Sequence, residues 1–125
     1  MPWPDYFPED CPPVDAIGAI GEMYIFVSND KPIEESFLCK RKRFPDEEYF
    51  SPCMACGLSV AISLTQCQKS RKRVPTLRRK KICYANLEEE VGKIKHTPLP
   101  WIEHHYTWWI PRDVKCPWGY FTDIE

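Results

Sequence analysis

The chain has 125 residues, room for one domain and little more, and it is long enough to bury a core without obligatory metals or disulfides. Its 17 basic and 18 acidic side chains give a formal net charge of -1, which excludes the strongly cationic balance of an overall nucleic-acid or membrane-surface binder. The start Met1-Pro2-Trp3-Pro4-Asp5 lacks the basic and then apolar pattern of an export signal, and no apolar run is long enough to span a bilayer. The expectation is a cytoplasmic protein with no membrane contact.

Residues 1–13 carry Pro2, Pro4, Pro8, Pro12 and Pro13 among aromatics and acids, which reads as an extended arm pinned by Trp3, Tyr6 and Phe7 onto a single domain spanning 14–125. Glu22 to Val27, aromatic and β-branched, predicts a strand between Gly21 and the Ser28-Asn29-Asp30 break. A short helix follows from Pro32 to about Leu38, with Glu34 and Glu35 near its positive end. The charged, proline-broken stretch from Lys40 to Phe50 reads as a loop.

Leu58, Val60 and Ile62 alternate with small residues, a period of two that predicts a strand with one buried face. Ser63 and Gln66 have the spacing of a capping box, opening a helix that runs to about Lys72 before Val74-Pro75 stops it. Further strands are expected at 81–85, 92–95, 105–110 and 120–124. Thirteen prolines argue against long helices. The fold class is therefore α+β: a mainly antiparallel sheet of about five short strands with one or two short helices.

Three segments carry candidate chemistry. Cys53-Met54-Ala55-Cys56 has the spacing of half a tetrahedral zinc site, with Cys53 and Cys56 as ligands and Cys67, Cys83, His96 or the His104-His105 pair as sources of the rest. Against zinc stands the plain reading of the seven cysteines as buried thiols. Their odd number, without an export signal, argues against a disulfide framework. The segment Lys69 to Lys81 concentrates Lys69, Arg71, Lys72, Arg73, Arg78, Arg79, Lys80 and Lys81, a density of like charge that an anionic partner would relieve. Lys40 to Arg43 extends this patch if the two meet, whereas Glu88 to Glu90 or Asp46 to Glu48 would neutralise it.

The third segment is Trp101 to Trp109. On a strand, His105, Thr107 and Trp109 line one side while Tyr106 and Trp108 line the other. Imidazole titrates near neutrality, so His105 and His104, with Thr107 and Glu103, are candidates for acid–base work, and Trp108 and Trp109 for stacking on a ring. His105-Tyr106-Thr107 resembles one copy of the His-x-Thr motif of the 2H phosphoesterases. That family needs two facing copies, and His96-Thr97-Pro98 departs from the second, so the chain is not placed in it.

These segments support three functions. The first is a binding module for nucleic acid or a phosphorylated ligand, held by Arg71, Arg73, Arg78, Arg79 and Lys80 with the indoles of Trp108 and Trp109. The second is a small enzyme acting on a nucleotide or phosphoester, with His105 or His104 as acid–base. The third is a non-catalytic protein that engages a protein partner through its aromatics and arginines. No P-loop, nucleophile elbow or dinucleotide fingerprint selects among them.

Overall fold

The structure, a computed structural model, describes residues 2–28, 33–100 and 102–124. Pro32, expected in the first turn of a helix, and Trp101 lie outside them. Among the described residues the elements run β1 (Ile17–Gly18), β2 (Gly21–Val27), α1 (Lys40–Arg43), α2 (Pro52–Ala55), β3 (Leu58–Val60), α3 (Leu64–Arg73), β4 (Lys81–Leu87), β5 (Lys93–His96), β6 (Tyr106–Trp109) and β7 (Thr122–Asp123). Single turns of 3-10 helix lie at Ile33–Phe37, Pro75–Leu77 and Pro117–Tyr120. The chain is one mixed α+β domain.

The strands form two antiparallel sheets rather than one. The first has the order β1-β5-β6-β3 and the second β2-β4-β7. The alternation of side chains along each strand explains the division. Met23, Ile25 and Val27 of β2, with Cys83, Ala85 and Leu87 of β4, meet Leu58, Val60, Ile94 and Trp108 of the other sheet in one shared core, closed by Phe37 and Phe121. Tyr24 and Ile82 face the opposite way and are covered by Cys67 and Leu64 of α3. A chain crossing at the end of β3 ties the sheets together, since Tyr24 and Ala61 exchange both backbone hydrogen bonds, at 2.8 and 2.9 Å.

Local chemistry sets the helix boundaries. Ser63 caps α3 by accepting from the backbone N–H of Gln66, and Val74-Pro75 ends it. Lys40–Arg43, read from the sequence as loop, is a single helical turn, and Ser51 caps a second turn at Pro52–Ala55 by accepting from Met54 N–H. Both turns are too short to show a helical period in the sequence.

The arm folds back on the outer face of the first sheet. Trp3, Tyr6 and Phe7 pack around Trp109 and Cys56, and Arg112 N–H donates to the Pro2 carbonyl at 2.9 Å. A disulfide joins Cys11 to Cys53, contrary to the expectation of reduced thiols throughout. Spacing could not reveal it, because the arm's return path brings together cysteines 42 residues apart. Of the cysteines outside the disulfide, Cys39, Cys56, Cys67 and Cys83 are buried and Cys116 is exposed. No helix among the described residues is long and apolar enough to cross a membrane.

Candidate functional site

The adjacent histidines go to different places. His105 ends the loop entering β6 and turns inward, to 9 % exposure, on the face it shares with Thr107 and Trp109. His104 stays outside, paired with Glu103 at 3.2 Å. It opens on a groove of about 330 Å³ lined by Lys69, Lys72 and Arg73 of α3.

The backbone of Thr97 fixes the position of the His105 ring proton. Thr107 Oγ1 lies 2.7 Å from Thr97 Oγ1 and 3.7 Å from Met54 Sδ, and its proton can go to either. The Thr97 carbonyl, which can only accept, lies 2.8 Å from His105 Nδ1, and Thr97 Oγ1 lies 2.9 Å from the same nitrogen. Nδ1 therefore carries the ring proton. In the neutral ring Nε2 is bare and accepts from Ser59 Oγ–H at 2.7 Å. Burial holds the imidazole below its ordinary value of 6.5. The bond to the Thr97 carbonyl opposes that shift, and the charges of Lys40 and His96 add to it. The pair is thus a hydroxyl donating to a neutral base whose other nitrogen is oriented from behind, the arrangement that activates a nucleophile.

Sheet register and one glycine hold this geometry. Ser59 pairs with Thr107 across β3 and β6, while Leu58 and Val60 turn into the core and leave the serine outside. The passage from α2 into β3 runs so close over β6 that a Cβ on Gly57 would lie 2.3 Å from Thr107 Cγ2.

Ser59, His105 and Thr107 line a cleft of about 590 Å³. Lys40 and Arg43 of α1 and Lys80, just before β4, line it too, and none of its described lining residues is an Asp or Glu. The Arg43 guanidinium is anchored on the carbonyls of Leu38 and Glu35. The rings of Phe44 and Phe50 lie on the cleft and are exposed. The Tyr49 hydroxyl holds their loop to α1, with the Lys40 and Phe44 carbonyls at 2.8 and 2.7 Å. Positive potential and apolar ring faces therefore share one concavity.

Several sequence expectations are corrected. Trp108 and Trp109 are not stacking platforms. Both are 0 % exposed, and their indole N–H groups donate internally, to the carbonyls of Val91 at 2.7 Å and Cys53 at 2.8 Å. Cys53 and Cys56 do not offer two thiolates to zinc, because Cys53 is bonded to Cys11 and burial pushes the Cys56 thiol up to about 11. No cluster of three or more His, Cys, Asp or Glu suited to a metal occurs among the described residues. Glu103 and His104 do not line the cleft of His105.

The basic segment divides between the two concavities. Lys80 reaches the large cleft and Arg73 the α3 groove. Arg71 donates to the Lys80 carbonyl at 3.4 Å and Arg78 to the Lys72 carbonyl at 3.3 Å, while Arg79 is exposed. Glu90 pairs with Lys93, not with this segment.

Sequence reasoning did not assign Ser59, Thr97, Phe44 or Phe50 to a site. The alternation around Ser59 made its outward direction legible, but nothing local named its partner. No family model matches the chain, and neither a curated protein nor a solved structure gives a match.

Proposed function

We propose that the chain is a binding module for a phosphorylated ligand of the nucleotide class, seated in the cleft over Ser59 and His105. The observation that carries this reading is the lining itself: Lys40, Arg43 and Lys80 converge there with no carboxylate among the described residues. A phosphate neutralises that charge through charge-assisted hydrogen bonds. Phe44 and Phe50 take over the stacking role that the sequence suggested for the tryptophans, since an exposed ring offers its face to a base at small entropic cost. The neutral Nε2 of His105 and the Ser59 hydroxyl supply polar groups at the floor.

Isothermal titration with inorganic phosphate and the four ribonucleoside 5′-monophosphates, at low and physiological salt, tests this. Nucleotides should bind more tightly than phosphate, and Lys40→Glu combined with Lys80→Glu should weaken them by about ten- to a hundredfold, the worth of one or two charged hydrogen bonds. Equal affinity in wild type and the double variant would remove the reading.

A second reading, nucleic-acid binding, is favoured by the α3 groove, where Lys69, Lys72 and Arg73 flank His104. It requires an affinity for a single-stranded oligonucleotide that falls steeply with salt and drops on Lys72→Glu with Arg73→Glu.

A further inference from the structure

We infer that Ser59 is a nucleophile, activated by His105, that takes a phosphoryl group from a phosphoester bound in the cleft. This rests on the phosphorylated-ligand reading and adds a reaction and a nucleophile to it.

Three independent features lead there. The Ser59 oxygen lies 2.7 Å from Nε2, within the distance expected between nucleophile and general base, and the direction of that bond follows from the Thr97 carbonyl behind the ring, which takes the Nδ1 proton. The two groups differ in access: Ser59 is exposed on the cleft while the imidazole behind it is 9 % exposed. A serine serving only to satisfy a buried imidazole has no need to face an open cleft. Finally, Lys40, Arg43 and Lys80 line the same cleft as the pair, and their charge suits a phosphoryl group bound there.

In the first step Ser59 Oγ forms a bond to phosphorus as the bond to the leaving oxygen breaks. The serine proton passes to Nε2, and the resulting imidazolium gives it to the departing alkoxide. Burial and the neighbouring Lys40 disfavour that imidazolium, which promotes the second transfer. In the second step water attacks the phosphoserine, Nε2 takes the water proton and returns it to Ser59 Oγ, and inorganic phosphate or a phosphomonoester leaves. Water is the sole co-reactant. Lys40 of α1 and His96 of β5 raise the cost of the charged ring, and Arg43 of α1 and Lys80, just before β4, line the same cleft.

The test uses the full chain and two probes. A biotinylated fluorophosphonate, which loses fluoride to an activated serine, should label the protein at Ser59, located by peptide mass analysis. Hydrolysis of bis(p-nitrophenyl) phosphate should be lost in Ser59→Ala. His105→Ala should slow labelling at least about a hundredfold, the lower range for a general base. Should that variant not fold, the pH profile of wild-type labelling serves instead, rising through one ionisation below 6.5. Folded wild type without an adduct on Ser59, equal labelling rates with and without His105, or a profile flat through that range would each overturn the inference. Nucleotide binding without labelling defeats this inference alone. Labelling at Ser59 without any nucleotide binding defeats the phosphorylated-ligand reading and, with it, the substrate class.

Discussion

The Oγ of Ser59 lies 2.7 Å from Nε2 of His105, across 46 residues of sequence and the boundary between β3 and β6. Antiparallel pairing sets Ser59 opposite Thr107, and His105 precedes Thr107 by two positions, so strand alternation returns its ring to the same face. The contact follows from register, and perturbing the register should be felt at the pair.

The imidazole provides a pH test. Because the folded value of His105 lies below 6.5, the folded state binds fewer protons than the unfolded state in the window beneath 6.5. Stability contributed by the neutral ring is present above the unfolded value and is lost as pH falls through the folded one. Urea melts in steps from about pH 7.5 to pH 5 should show that loss in wild type, with a shallower slope in His105→Gln. Superimposable profiles would mean that the ring ionises as freely folded as unfolded. In wild type, nitrogen-detected spectra should find the neutral ring protonated at Nδ1.

Gly57→Ala should be destabilising by about 1–3 kcal/mol, the cost of overpacking, because its Cβ meets Thr107 Cγ2 at 2.3 Å and the Trp108 carbonyl at 3.2 Å. Moving Thr107 also loosens Thr97 and then His105, so the ring resonances should shift along with the melting temperature. A melt unchanged within error would show that the α2–β3 passage has slack.

Trp109 locks the arm to the sheet. Trp109→Ala should destabilise by about 3–5 kcal/mol, removing the ring that Trp3, Tyr6 and Phe7 surround and the donor to the Cys53 carbonyl. Limited proteolysis should then cut within residues 2–10 at a protease dose that spares wild type. Equal resistance would show the arm is held without the indole.

The cysteine pairing predicts a thiol count. Denatured, unreduced protein should titrate five thiols and reduced protein all seven, with the difference abolished in Cys11→Ser combined with Cys53→Ser. Seven thiols without reductant would leave the arm to packing alone. In the native state Cys116, the exposed thiol, should react before the four buried ones.

The sequence by itself determined the elements whose signals are local. Strand-favouring residues in Glu22 to Val27 and in 105–110, the alternation of Leu58 with Val60 and the Ser63 cap before α3 each depend on neighbours a few positions away, although the alternation fails at Ile62, which is exposed. From these the α+β class and the opposite facing of Trp108 and Trp109 could be read. The tertiary structure alone decided which exposed groups meet. The division into two sheets, the return of the arm onto Trp109, the Cys11–Cys53 bond and the approach of Ser59 to His105 join residues distant in the chain. The physical reason is the same in each case: periodicity states which way a side chain points, whereas its partner is set by strand register and by the apolar area buried when whole elements pack.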